Sequence, residues 1–258
     1  MTKPAGDFTG LAQNYSRYRP AYAPLLIPAL QGLIEKPWSS VDVVDVGAGT
    51  GIWTRMLAAH SPRSIIAIEP NDDMRRFGKA DSQGLPIQWR SGSGEQTGLP
   101  DHCCDVVSMA SSFHWVDFDA GTREFLRILR PGGLFCALWN PRLIEANPLL
   151  VEIENTLYEM APFIQRVSSG RAEFTETLFD KLAGHPGFSD VVYLEGRHVV
   201  RQSQEQYLGV WWSVNDVRAQ AGERIFSEFM RYVEGRIQGL PEIETTYLTR
   251  AWVAKAGG

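Results

Sequence analysis

Cysteine is scarce in this 258-residue chain, and what there is has no useful spacing. The three cysteines are the adjacent pair Cys103-Cys104 and the single Cys136. They fit neither a metal-ligand pattern nor a disulfide framework, so they read as small apolar thiols beside strand-like stretches. An excess of positive charge is also missing: 25 Lys and Arg stand against 30 Asp and Glu, a formal net charge of -5. That balance argues against a protein built to hold a nucleic-acid backbone. Long apolar runs are absent, none approaching the roughly 18 residues of a membrane span. The opening "MTKPAGDFTG" lacks the apolar core of a secretory signal, so a cytoplasmic location with no membrane partner is expected. His, Asp and Glu do not cluster at ligand spacing, and no metal is expected. What remains, with 44% hydrophobic residues, suffices for one sizeable α/β domain, either a monomer or a homodimer.

From about Ser39 to Trp139, short apolar runs alternate with helix-length amphipathic segments. The runs are Val41 to Val46, Ser64 to Glu69, Pro86 to Arg90, Cys104 to Ala110 and Gly133 to Trp139. Continuous apolar runs suit parallel strands covered on both faces. Helices are predicted over Thr50 to His60, Asn71 to Ala80 and Phe118 to Arg130, the last stopped by Pro131-Gly132-Gly133. This alternation predicts a Rossmann-like doubly wound sheet of about seven mostly parallel strands, with its ligand crevice at the strands' carboxyl ends. Later, helical pattern covers Pro148 to Met160, Arg171 to Ala183, a region holding Tyr207 to Val217, and Glu223 to Gln238. Two strand-like stretches, Phe188 to Val200 and Glu244 to Lys255, read as an antiparallel edge pair. The division expected is a core over 39–140, helical cap insertions over 141–186 and 203–240, and edge strands over 187–202 and 243–256.

The first run ends in "VVDVGAGTG", Val43 to Gly51. A dinucleotide fingerprint is G-x-G-x-x-G, whose helix N-terminus meets a pyrophosphate. Here the third glycine comes one residue early, as Gly47-x-Gly49-x-Gly51, with Ile52 where the fingerprint wants Gly. Asp45 faces the crevice if Val44 and Val46 face away. A carboxylate there opposes a pyrophosphate and favours a cationic amino group. No Lys follows the turn, which speaks against a P-loop. Glu69 ends the second strand about 20 residues beyond the glycines, where an acid accepts hydrogen bonds from ribose hydroxyls. S-adenosylmethionine has the ribose, the cationic end and no phosphate.

Four stretches occur in order: "NYSRYRPAY" (Asn14 to Tyr22), "VVDVGAGTG" followed by "IEP", "GSGEQTGLPDHCCDVV", and "SSFHWVD". In these the chain resembles the class I S-adenosylmethionine-dependent methyltransferases, small-molecule type 11 (UbiE/trans-aconitate-like) group, from about Phe8 to Trp139 and weakly again in "YLTRAW". The resemblance implies that Gly47, Ala48 and Gly49 contact the methionine part of the cofactor and that Glu69 holds the ribose. Pro70 and Asn71 follow it, and Met74 lies against the adenine face or in the core. The family's Gly-Asp-Ala-Glu turn maps onto "GSGE", so Ser93, or the backbone of Gly94 and Glu95, meets adenine. The N-terminal segment, within 1–38, is implied to close over the cofactor through Tyr15, Tyr18 and Arg19, with Arg19 forking onto the methionine carboxylate.

Methyl transfer is an in-line displacement from a sulfonium, so the protein must align the acceptor and exclude water. A base is needed only when the acceptor is not already nucleophilic. The end of the fourth run places Ser111 and Ser112 by the methionine part, His114 near the methyl group and Trp115 as a wall. His114 titrates near neutrality and suits a base; a positioning or wall role stands beside it. Trp211 and Trp212, with Tyr207, suggest an aromatic lid, or a helix packed through its Trp side chains. Tyr22, Trp139, Arg142 and Tyr158 are further pocket candidates. The expected activity is methyl transfer to an O, N or C nucleophile of a small molecule in specialised metabolism, with S-adenosylhomocysteine as product. An NAD-dependent oxidoreductase and a non-catalytic S-adenosylmethionine-binding module are the alternatives.

Overall fold

The computed structural model describes residues 12–165 and 173–257. Phe8, where the family likeness begins, and Arg171, where a helix was expected, lie outside the described residues. Helices α1 (Ala12–Tyr18) and α2 (Leu26–Ile34) lead to β1 (Asp42–Val46). The predicted alternation follows: α3 (Ile52–Ala58), β2 (Ser64–Ile68), α4 (Asp72–Asp81), β3 (Ile87–Arg90), β4 (Cys104–Ala110), α5 (Phe118–Ile128) and β5 (Leu129–Trp139). Beyond them lie α6 (Pro148–Met160), α7 (Glu173–Ala183), β6 (Phe188–Gln202), α8 (Gln204–Trp212), α9 (Asn215–Ile237) and β7 (Ile243–Ala256).

Helix starts follow local chemistry. Asn71 caps α4 by accepting from the Asp73 and Met74 amides, and Asp72 and Asp73 add negative charge to its first turn. Asn147 caps α6 with Pro148 just inside, and Ser203 and Gln206 close a capping box on α8. Helix α5 stops at Ile128, two residues before the expected Arg130. A residue before proline is pushed out of the helical region, and Leu129 is already extended and paired with Cys104, so β5 starts earlier than the sequence implied. Helix α9 breaks at Gly222, whose φ of 73° only glycine adopts cheaply, which divides the late helical pattern as expected.

The seven strands run in the order β3-β2-β1-β4-β5-β7-β6. β1 to β5 are parallel, and β7 is antiparallel to both neighbours, so β6 at the margin points the same way as the first five. Both faces of the sheet are covered, which is why the runs are continuously apolar. On β5, Leu134, Cys136 and Leu138 join one core with α2 and α3 residues. Phe135, Ala137 and Trp139 join the other, against α5 and α7. A third apolar cluster holds α6, α8 and α9 together through Leu150, Ile153, Tyr207, Trp211, Phe226 and Phe229. Cys104 and Cys136 are buried and Cys103 is half-buried; all three are free thiols. Among the described residues, no helix is long and apolar enough to cross a membrane, and no group of three or more His, Cys, Asp or Glu could hold a metal ion.

Candidate cofactor and acceptor site

Strand order reverses between β1 and β4, and the carboxyl ends of these strands border a pocket. Its floor is the turn after β1, where Gly47, Gly49 and Gly51 all take positive φ, at 64°, 57° and 78°. Two of these glycines are also fixed by close neighbours. A Cβ on Gly47 would lie 2.7 Å from Ser112 Cβ, and one on Gly51 2.8 Å from the Trp89 ring. Gly49 differs: a Cβ there meets only Met74 Cε, at 3.5 Å, and otherwise opens on the pocket.

Glu69 ties this turn to the end of β2. Its Oε2 accepts from the Gly49 amide at 2.8 Å and its Oε1 from the Asn71 amide at 2.8 Å. Burial raises its pKa, against the lowering effect of those two amides. Each carboxylate oxygen keeps a second lone pair for a ligand hydroxyl. Pro70, Asn71 and Met74 line the same wall, although the Asn71 side chain itself serves as the α4 cap. Ser93, Gly94 and Glu95 form the next wall. Ser93 Oγ accepts from the Gln96 amide at 3.2 Å, Val116 packs where a Gly94 Cβ would stand, and Glu95 accepts from the Asp117 amide.

Opposite stand Tyr15, Tyr22, Ser111, Ser112 and Trp115. Ser111 is left-handed, with φ 56°, a conformation that costs a non-glycine residue on the order of 1 kcal/mol. Its amide donates to Leu138 O at 2.7 Å and its hydroxyl meets Tyr22 Oη at 3.0 Å, which holds it there. Burial raises the Tyr22 phenol far above its ordinary range, so it stays a neutral hydrogen-bonding group.

Several expected site residues lie elsewhere. Asp45 is fully buried and does not face the crevice: Thr54 donates to its Oδ2 at 2.5 Å and Ser108 to its Oδ1 at 2.9 Å. It sits beneath the glycine turn, and burial, reinforced by Glu69, raises its pKa to about 7. Arg19 does not point into the pocket but donates to Ser213 Oγ at 2.9 Å and Ser213 O at 3.3 Å, with its guanidinium over the Tyr15 ring. Tyr18 packs on Gly209 and donates to Glu205. Both dock the N-terminal segment onto α8, because α8 presents a glycine there for the ring to approach. Trp139 is buried, as its shared parity with Phe135 and Ala137 requires. Its Nε1 donates to His114 Nδ1 at 3.2 Å, which places the neutral ring's proton on Nε2. His114 stacks beside Trp115 behind the pocket wall. Tyr207 and Trp211 are buried in the cap's own core, Trp212 packs edge-on against Phe226, and Tyr158 is exposed on α6.

Thr50, Trp53, Met109 and Val116 line the pocket and were not expected. Among the described residues, Thr50 Oγ1 and Trp53 Nε1 are buried without a hydrogen-bond partner. For Thr50 the signal was available: a hydroxyl inside a glycine turn, ahead of a helix start.

The sheet order and this pocket define a Rossmann-like methyltransferase fold. Residues 44–137 match the family described as "Methyltransferase domain", and in that segment the chain is similar to the class I S-adenosylmethionine-dependent methyltransferases of the type 11 group. An uncharacterized methyltransferase of Mycobacterium tuberculosis is 35% identical over 137 residues, 53% of each chain. The match thus spans about half the length of that curated relative. An uncharacterized methyltransferase of Schizosaccharomyces pombe is 22% identical over 93% of this chain and 92% of its own. A solved structure from Anaeromyxobacter dehalogenans, provisionally assigned as a type II methyltransferase, superposes with a TM-score of 0.64 at 23% identity, over 93% of this chain and 97% of that one. The last likeness speaks for the fold.

Proposed function

We propose that the protein transfers the methyl group of S-adenosylmethionine to a nucleophilic O, N or C atom of a small molecule, in specialised metabolism. The observation that carries this reading is the convergence, in one pocket, of the glycine turn, the Glu69 carboxylate and the orphaned Thr50 hydroxyl. The residues fit the cofactor. Gly49 leaves room where any side chain would intrude, Glu69 offers lone pairs to a ribose diol, and Met74 gives an apolar surface beside them. Thr50 Oγ1 is a buried polar atom that a ligand would satisfy. When bound, the cofactor supplies a sulfonium-activated methyl group.

The chain's own part is to hold and shield. Tyr15, Tyr22 and Trp115 wall the side facing the glycine turn and exclude water from the displacement. Trp139 keeps His114 in the tautomer with Nε2 protonated, behind the pocket wall, where its ring packs on Trp115. That favours positioning over proton abstraction, since a base would need a free ring lone pair. The N-terminal helix is fastened on two sides, by Ser16 to Asp81 of α4 and by Arg17 and Tyr18 to Glu205 of α8, which makes it a cover over the pocket.

Titration calorimetry with S-adenosylhomocysteine and with NADH tests the cofactor. Binding of the former alone is expected, and binding of NADH alone would install an oxidoreductase. Transfer of labelled methyl to a broad acceptor panel tests turnover. Cofactor binding with no transfer to any acceptor would make the protein a non-catalytic binding module.

A further inference from the structure

At the junction of β5, β7 and α8, the buried Tyr247 Oη has no hydrogen-bond partner among the described residues, and Tyr207 Oη and Trp211 Nε1 have none beyond each other. Their side chains are 3%, 1% and 0% exposed. Burial raises both phenol pKa values, so the hydroxyls stay protonated. Arg142 binds the group together. It bridges to Tyr247 through the backbone, its guanidinium sits 4.4 Å from the Trp211 ring centroid, and it donates to Glu154 at 2.5 Å. Tyr207 feels the charges of Arg142 and Glu154 and lies near Tyr247. A buried, unsatisfied donor costs about 1 to 3 kcal/mol, so two phenol protons left over in one place need a reason.

None of these residues lines the pocket, and intervening side chains link the cluster to it. The Arg19 guanidinium lies 5.1 Å from the ring centroid of Tyr15, a pocket wall, and its charge also acts on Tyr247. His198 stacks on Tyr247 and hydrogen-bonds Ala21 O, next to the pocket residue Tyr22. Both connections are one side chain thick.

We propose that Tyr207, Trp211 and Tyr247, arranged around Arg142, form the acceptor's recognition subsite, which takes an sp2 oxygen: a carboxylate or a conjugated carbonyl. This inference rests on the methyl-transfer reading and names its substrate class. Trp211 donates to Tyr207 and Arg142 to Glu154, so the donors left are the two phenol protons and the missing complement is a group that only accepts. Glu154 already balances the charge of Arg142, so selection is by hydrogen bonds and a neutral carbonyl is served as well as an anion.

Tyr207→Phe and Tyr247→Phe, each in the full chain, remove one hydroxyl and keep the ring. With S-adenosylhomocysteine saturating, benzoate and acetophenone serve as carboxylate and carbonyl probes, and toluene as the control without oxygen. The wild type is expected to bind one or both oxygen probes more tightly than toluene. Each variant is expected to lose about five- to ten-fold of that binding, the worth of one hydrogen bond. S-adenosylhomocysteine affinity should stay within two-fold, and free Tyr247→Phe should melt no lower than wild type, because an unsatisfied group has been removed. Oxygen probes binding no better than toluene, or unchanged in both variants, would overturn the proposal. A lower melting temperature with unchanged probe binding would show instead that water satisfies these hydroxyls. If the wild type fails to bind S-adenosylhomocysteine at all, the methyl-transfer reading fails first.

Discussion

Asp45→Asn separates a structural carboxylate from a ligand-binding one. The Asp45 carboxylate is wholly buried between β1, α3 and β4, with two hydroxyl donors and, among the described residues, no cation bonded to it. Burial, with the Glu69 carboxylate adding to it, lifts its pKa from the ordinary 3.8 to about 7. The unfolded chain releases this proton near pH 4 while the folded chain keeps it to about pH 7. Across that window the folded state binds the extra proton, so stability falls as pH rises, and above it the full cost of the buried charge stands. Roughly three pH units at 1.36 kcal/mol each put that cost at about 4 kcal/mol. The replacement amide carries no charge, and it can accept from one hydroxyl and donate to the other, since Ser and Thr do either.

Urea unfolding of both proteins between pH 4.5 and 8.5 reads this directly. Near pH 4.5 the variant and wild type should differ by under about 1 kcal/mol, the gap then growing in the variant's favour and levelling above pH 7.5. A gap that ignores pH, or a variant that grows less stable as pH rises, would refute the assignment of a raised pKa by burial. The same two proteins titrated with S-adenosylhomocysteine show whether the charge matters to the ligand through the intervening turn. A two-fold change or less is expected, because the carboxylate is spent on Thr54 and Ser108.

Gly49→Ala should lower S-adenosylhomocysteine affinity at least ten-fold in calorimetry, since the added methyl enters the pocket, while left-handed strain costs about 1 kcal/mol of stability. Retained affinity would remove Gly49 from the cofactor floor. His114→Asn puts an acceptor oxygen where Nδ1 receives the Trp139 indole, so turnover on an acceptor found by the labelled-methyl screen should stay within about ten-fold. A loss of a hundred-fold, together with loss of a titration limb near pH 6.5, would make His114 the base. Arg130→Ala strips Asp42 and Asp105 of a shared guanidinium at the amino ends of β1 and β4. Arg63 chiefly, opposed by burial and aided by Ser64 and Arg130, holds Asp42 well below the usual carboxylate range. That stabilisation is present above pH 4 and fades in acid, so the variant should unfold about 2 to 3 kcal/mol more easily at pH 7, with a smaller gap at pH 3 and unchanged cofactor affinity.

The cofactor wall was legible because its parts are local. A strand's parity, three glycines and an acid at the next strand end fix Gly47, Gly49 and Glu69 before any long-range contact is known. Asp45 was misplaced for the complementary reason: its partners Thr54 and Ser108 come from α3 and β4, and no spacing along the chain announces that they close over it. Trp139 was more readable than it was read. Phe135, Ala137 and Trp139 share one face of β5, and a strand covered on both faces buries all three. Tyr18 and Arg19 were read as ligands on the family's pattern, but the glycine of α8 and Ser213 that receive them lie about 190 residues away along the chain.

That displacement changes what the N-terminal segment does. Tyr15 and Tyr22 form pocket wall, whereas Tyr18 and Arg19 are bonded to the cap. One short segment is therefore fixed by the cap and walls the pocket. The Arg19 guanidinium lies over the Tyr15 ring, and its charge reaches Tyr247. Any acceptor group that engages Tyr247 thus acts on a neighbour of the arginine that steadies Tyr15. Filling the proposed acceptor subsite and completing the proposed cofactor wall would then be coupled through one side chain. By linkage, a subsite ligand that tightens S-adenosylhomocysteine binding must be tightened by it in equal measure.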